Sequence, residues 1–331
     1  MKKRTPIAVV GMAGVFPGAL DIDIFWHNII NKVSSVCEVP ADRWGVKPND
    51  IYSASPLPDK AISKRACLIS ADILQSIKSE HTDINIDKDL LKNLDPLYHL
   101  ILHAGSKVFS SFASSSINKE RIGTILAAIV LPTDSSSFIT REITGKSFEE
   151  KLFGNAVVTP LNKKQCISGR VTALPAAILA EALGLGGGSY TLDAACASSI
   201  YAVKLACDEL YSHRADAMLA GGVSRPQSLY TQIGFSQLRA LSPSGRCAPF
   251  DETADGLVVG EGIGIIALKR LDDALRDKDN IHALIHGIGL SNDIRGNLLA
   301  PDSEGQIRAM RSAYTSAGWS PYDIDLIECH G

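Results

Sequence analysis

Ser189-Tyr190-Thr191-Leu192-Asp193-Ala194-Ala195-Cys196-Ala197-Ser198-Ser199-Ile200 decides how this chain is read. Tyr190 to Leu192 is short and favours strand. Ile200, Val203, Lys204, Ala206, Cys207 and Leu210 follow at helical spacing. Gly184, Gly186, Gly187 and Gly188 stand just upstream, and Ala194, Ala195, Ala197 and Ser198 crowd Cys196. A cysteine between strand and helix, among small neighbours, predicts a tight turn that pushes one thiol outward, the mechanics of a nucleophile elbow. A helix N-terminus carries partial positive charge and free N–H groups. It favours a thiolate, and it can face the oxyanion of a tetrahedral intermediate. The competing reading is a small buried hydrophobe, the ordinary fate of a cysteine in a core.

The chain has 331 residues, 45% of them hydrophobic, and a formal net charge of −3. That is apolar material for one large domain or two coupled ones. The balance leaves no basic footprint for nucleic acid or an anionic membrane, and no apolar run has membrane-spanning length. Seven cysteines, an odd number without a CxxC pair, fit a reducing compartment better than a disulfide framework or a zinc site. Lys2-Lys3-Arg4 before Ile7 to Val10 imitates a signal peptide, but Gly11, Gly14, Pro17 and Gly18 interrupt the apolar run. The expectation is a cytoplasmic protein.

Ile7 to Gly11 reads as a buried strand entering a glycine turn that runs to Ala19, with Phe25, Trp26, Ile29 and Ile30 next at helical spacing. Asn49 to Lys64 reads as loop, and Ser70 to Lys92 is polar and poorly patterned. Asp95-Pro96 opens a capped helix carrying Leu100, Ile101, Ala104 and Val108. Ile122 to Val130 reads as a strand. Ser135-Ser136-Ser137 and Gly145 predict loop, with a short helix at Phe148 to Phe153. Pro175 to Leu183 reads as helix capped by Gly184. Asp216 to Val223 and Ile263 to Leu268 read as strands, Leu271 to Arg276 as a short helix, and His282 to Gly289 as the start of another strand pattern. Gln306 to Ala317 reads as an amphipathic helix with Ile307, Met310, Tyr314 and Ala317 on one face, and Leu326 to Gly331 as a strand.

Asp193-Ala194-Ala195-Cys196-Ala197-Ser198-Ser199 resembles the active-site motif of the β-ketoacyl synthases, the condensing enzymes of fatty-acid and polyketide assembly. Ala195 and Ala197 stand where the family commonly has Ser or Gly. Gly11-Met12-Ala13 with Phe16-Pro17-Gly18, and Val39-Pro40-Ala41-Asp42-Arg43-Trp44, resemble the opening of polyketide-type ketosynthases. Leu241-Ser242-Pro243-Ser244-Gly245-Arg246-Cys247 through Gly260-Glu261-Gly262 resembles a long passage of the same family. Read without that resemblance, Gly260 to Gly264 suggests a phosphate loop, but it lacks the Lys-Ser/Thr of one. Gly169-Arg170 and Leu183-Gly184-Leu185 resemble the approach to the cysteine. Arg170 is open to two readings, an active-site cation or a structural partner in an ion pair.

The resemblance implies an α/β, thiolase-like layered αβαβα fold of two similar halves. Residues 1–271 correspond to the first half and 272–331 to the start of a truncated second one. It implies that Cys196 accepts an acyl group and that a malonyl-type extender then loses carbon dioxide and condenses with it. His330-Gly331 resembles the start of a His-Gly-Thr-Gly-Thr motif, whose histidine helps stabilise the enolate. The catalytic candidates are therefore Cys196 and His330. No cofactor or metal is expected; acyl groups arrive on the phosphopantetheine of an acyl carrier protein, and a homodimer or heterodimer is expected. A second histidine, a lysine and a glycine-rich loop of the family have no counterpart here, so the expectation is a fragment, a split gene product or a shortened chain. The alternative is a non-catalytic partner of the chain-length-factor or dimerising kind, against which Cys196 argues; a thiolase ranks below both. His99 and His103 lack the Glu of a HExxH pattern and read as ordinary helix histidines, and His282 and His286 on a strand do not converge.

Overall fold

The computed structural model describes residues 5–44, 46–80, 85–112, 117–129, 131–154, 174–226, 228–296 and 301–330. Its frame is a six-stranded mixed sheet of β1 (Ile7–Val15), β4 (Ile122–Ala128), β5 (Ser189–Leu192), β6 (Ala217–Ser224), β7 (Gly262–Arg270) and β8 (Ala283–Ile285), ordered β5-β4-β6-β7-β1-β8. β4 runs parallel to β5 and β6, whereas β7 is antiparallel to β6 and β1, and β8 is antiparallel to β1. A two-stranded ribbon, β2 (Cys37–Glu38) with β3 (Arg65–Ala66), lies outside it.

The strands alternate between two cores. Ala8, Val10, Ile122, Leu126, Ala217, Leu219, Ile263 and Ile265 face one side, with α2 (Ala71–Glu80), α3 (Pro96–Phe112) and α6 (Leu174–Leu183) packed there. Ile7, Val9, Ile125, Met218, Ala220 and Leu268 face the other, against Ala202, Ala206, Cys207 and Leu210 of α7 (Ser198–Tyr211). Period-two alternation sorts each strand onto both. α3 is buried throughout Leu97 to Gly105; it starts on Pro96, and the Asp95 carboxylate accepts the Leu97 N–H at 3.0 Å. α6 ends at Gly184, whose φ of 67° is the left-handed stop expected of it.

Several elements depart from the sequence reading. β1 does not turn at Gly11 but continues to Val15, because Val10 is a bulge: Val9 pairs with Leu268 and Gly11 with Ala267. One extra residue flips the alternation, so Val15 returns to the face of Val10. The turn sits later, at Phe16–Ala19. The loop predicted about Ser135-Ser136-Ser137 and Gly145 is helical instead, as α4 (Asp134–Thr140), a π-helical turn (Arg141–Gly145) and α5 (Lys146–Phe153). There the Ser136 hydroxyl accepts the Thr133 N–H at 2.7 Å, which fixes the entry to the helix. Unpatterned Ser70 to Lys92 holds α2, anchored by buried Ile77. α1 (Ile22–Ile30) forms as predicted, but it buries no residue. α8 (Ser228–Gln237), α9 (Leu271–Asp277) and α10 (Ser303–Ala317) complete the helices used below. In α10 Ala317 is buried, while Ile307 and Met310 stay exposed. Residues 326–330 form no strand; Leu326 and Ile327 are exposed and pair with none of the described strands. Arg170 and Gly331 lie outside the described residues. No helix among the described residues is long and apolar enough to cross a membrane.

Candidate active site

Cys196 sits in a single 3-10 turn, Ala195–Ala197, directly between β5 and α7, and its thiol is exposed. The turn is tight because Ala195 adopts φ +51°, left-handed backbone that costs a non-glycine residue about 1–2 kcal/mol. The motif's polar residues hold it there. The Asp193 carboxylate accepts the Ala195 N–H at 2.9 Å, Ser198 Oγ accepts the Ala194 N–H at 2.8 Å, and the Ser198 hydroxyl donates to the Ala195 carbonyl at 2.5 Å. At about 0.5–1.5 kcal/mol each, these bonds together offset the backbone strain. Cys207, further along α7, shows the contrast: it is core, and burial pushes its thiol up to about 12. Burial likewise raises the thiol of Cys67, with smaller contributions from Cys37 and Cys247.

The thiol opens on a cleft of about 570 Å³. Ala127, Ala220 and Gly222 floor it from β4 and β6, Ile200 and Val203 of α7 form one side, and Phe16 and the Gly260–Gly264 run close the other. The lining is almost entirely apolar. It lies at the carboxyl ends of the parallel strands β4 and β6, where open α/β sheets place their ligands. The opposite end of the sheet is closed by charge. Asp216 is bonded by Arg121 and by Arg270 at 2.7 Å, and these guanidiniums, Arg121 first, hold its carboxyl down at about 2.

The Gly260–Gly264 run reaches the cleft through its one charged residue. Glu261 is buried beneath the wall; Arg43 bonds its carboxylate, the Ile69 N–H donates to it at 3.0 Å, and Arg225 lies 4.0 Å away. The Pro-Ala-Asp-Arg-Trp landmark and the Gly-Glu-Gly landmark, read separately in the sequence, are thus two halves of one ion pair. A buried pair of this kind needs both partners and the added N–H, since either charge alone would be costly. Upstream, Asp255 accepts the Ser242 hydroxyl at 2.5 Å and the Ser244 N–H at 3.2 Å, which knots the passage. The structure places Cys196 on the cleft, and Phe16, Gly222 and Glu261, which the sequence reading did not single out as site residues, line it as well. His330 is exposed in the C-terminal segment and is not among the residues that line the cleft. His99 and His103 are buried in α3, away from the cleft lining, and no cluster of three or more His, Cys, Asp or Glu among the described residues is placed to hold a metal ion.

Residues 4–274 match the family model of the beta-ketoacyl synthase N-terminal domain, and residues 282–331 that of the C-terminal domain. The chain belongs to the beta-ketoacyl synthase family. It is 32% identical over 329 residues to the PKS-NRPS hybrid synthetase ATPKS of Aspergillus niger, covering 98% of this chain and 17% of that protein. It is 29% identical over 335 residues to the polyketide synthase PksL of Bacillus subtilis, covering 98% of this chain and 7% of that one. Among solved structures, the PfaC keto synthase–chain length factor superposes with a TM-score of 0.87 at 33% identity, over 98% of this chain and 36% of that one. The ketosynthase from module 6 of the bacillaene synthase of Bacillus subtilis 168 superposes with a TM-score of 0.73 at 28% identity, over 97% and 50%. The chain spans well under two thirds of the length of each. Its fold is the layered, thiolase-like α/β fold of these ketosynthases.

Proposed function

We propose that this chain is the acyl-accepting part of a ketosynthase of polyketide or fatty-acid assembly, with Cys196 as its nucleophile. The supporting observation is the exposed thiol on a strained elbow at the head of α7, opening on an apolar cleft. Cys196 Sγ attacks the carbonyl of an acyl thioester, and the thiol of a carrier protein's phosphopantetheine arm leaves with the proton. A malonyl-type thioester then releases carbon dioxide. Its enolate carbon attacks the Cys196 thioester, forming the carbon–carbon bond and returning the sulfur. Splitting the condensation this way is covalent catalysis. In this reading His330 steadies the enolate in the assembled enzyme, residues 1–271 form the N-terminal ketosynthase half, residues 272–331 belong to the C-terminal half, and the working unit is a dimer. Neither a metal nor a nucleotide takes part in this scheme.

Incubation with acyl-pantetheine thioesters, followed by intact-mass measurement, tests it. One acyl adduct is expected, mapping to Cys196 and absent from Cys196→Ala. Iodoacetamide is expected to label Cys196 faster than the exposed Cys37 and Cys247. Loading that survives in Cys196→Ala, or labelling no faster than at those two thiols, overturns the assignment.

A further inference from the structure

Three cysteines gather behind the wall of the cleft. Cys37 of β2 pairs with Ala66 of β3, and its thiol donates to the Ala66 carbonyl at 3.4 Å. That carbonyl belongs to the peptide joining Ala66 to Cys67. The ladder with β2 ends there, and Cys67 bridges to Gly260 instead. Its N–H donates to the Val259 carbonyl at 2.9 Å, and its carbonyl accepts the Glu261 N–H at 2.9 Å. Cys67 is therefore the seam between the β2–β3 ribbon and the Gly260–Gly264 run that faces Cys196. Cys37 and Cys67 stand one step off a register pair, which puts their Cα atoms on the order of 6.5 Å apart. That lies inside the roughly 4.4–6.8 Å span of a disulfide. Cys247 comes from a third direction, on a loop that lies against the ribbon: a Cβ on Gly245 would strike the Arg65 side chain. Cys37 and Cys247 are exposed and Cys67 is half-buried. The three thiols sense one another, since burial first, then Cys37, then Cys247 raises the thiol of Cys67. Among the described residues they are not placed to hold a metal ion.

We infer that Cys37 and Cys67 form a reversible disulfide, a redox modification site separate from the chemistry of Cys196, with hydrogen peroxide as the oxidant. The exposed Cys37 reacts first. Its thiolate sulfur takes one oxygen from the peroxide, hydroxide leaves, and Cys37 becomes a neutral sulfenic acid. The charge that opposed ionisation of Cys67 is then gone. The Cys67 sulfur attacks the Cys37 sulfur, the sulfenic hydroxyl departs with the Cys67 proton as water, and the S–S bond closes. Two thiols lose two electrons in all, and one peroxide becomes two waters. A dithiol reductant reverses the bond by exchange, so it is compatible with the reducing compartment expected from the cysteine count. The bond ties the ribbon to the segment that holds Gly260 and Glu261 in place.

The full chain is treated with hydrogen peroxide, its remaining thiols are blocked with N-ethylmaleimide, and it is digested without reductant for peptide mass. A peptide pair joining Cys37 to Cys67 is expected, and dithiothreitol removes it. In Cys67→Ser the reaction stops one step earlier, and dimedone traps a sulfenic acid at Cys37 that the native chain does not accumulate. In Cys37→Ser, a change at an exposed position, the pair is lost. Because the bond closes a loop in the unfolded chain, oxidation also raises the urea midpoint of the native chain and leaves that of Cys37→Ser where it was. Absence of the Cys37–Cys67 pair from the oxidised native chain overturns the inference. So does a Cys67–Cys247 pair in its place, or a midpoint that rises equally in Cys37→Ser. Cys196→Ala is expected to form the same pair, so this outcome stands apart from the test of the acyl acceptor.

Discussion

Ala195 carries more of the site than its side chain suggests. Its left-handed backbone turns the chain between β5 and α7 and exposes the next residue's thiol. A β-branched side chain fits that region badly. Ala195→Val is expected to cost more than about 1 kcal/mol in urea unfolding and to slow alkylation of Cys196, read by peptide mass on the same samples. If the stability and the labelling rate both stay at native values, the elbow does not depend on that backbone. The sequence displayed this residue only as a small neighbour of Cys196. Small residues permit many turns, and the sign of φ at one of them follows from the bonds that Asp193 and Ser198 make in three dimensions.

At the scale of elements, charge and pattern act at opposite ends of the sheet. Asp216 joins the starts of β4 and β6 to the end of β7 through Arg121 and Arg270. Its carboxyl is held at about 2, below its ordinary range. The stabilisation is therefore present above pH about 4 and lost as pH falls through about 2. Because Asp216 is partly exposed, solvent screening limits the effect to about 1 kcal/mol or less. Urea unfolding measured between pH 5 and pH 2 should show the native chain losing that increment, and Asp216→Asn lacking it throughout. Equal slopes in the two proteins would remove the clamp from the account. The strands were legible because apolar residues at period two write themselves into sequence, as Ile122 to Leu126 and Ala217 to Leu219 do. β1 was read short because glycine signals a turn locally, whereas Gly11 and Gly14 serve close packing against Ser111 and Phe16. α4 was hidden by its serines, and residues 326–330 were read as strand from apolar content that finds no neighbour among the described strands. The thiol was legible from its motif; the cleft was not, since Gly222 and Gly264 come together only after β6 and β7 pair.

At the scale of the molecule, α1 presents Trp26 at 62%, Ile29 at 50% and Ile30 at 60% exposure, an apolar face that contributes little to the core. Trp26→Gln with Ile30→Gln should change unfolding stability by less than about 0.5 kcal/mol per site while lowering self-association in sedimentation velocity. A large loss of stability would show that the face is packed rather than bare. The strand order has a consequence in time. β1 is the first of these strands to leave a ribosome, yet its neighbours among the described strands are β7 and β8, encoded more than two hundred positions later. At ordinary elongation speeds that is on the order of ten seconds or more with both edges open. The elbow around Cys196 can close from local bonds while the wall opposite, Gly260 to Gly264, is still unmade. The nascent chain therefore passes through an interval in which a bared thiol and an unclaimed strand coexist, and shielding the two is a task for whatever accompanies synthesis.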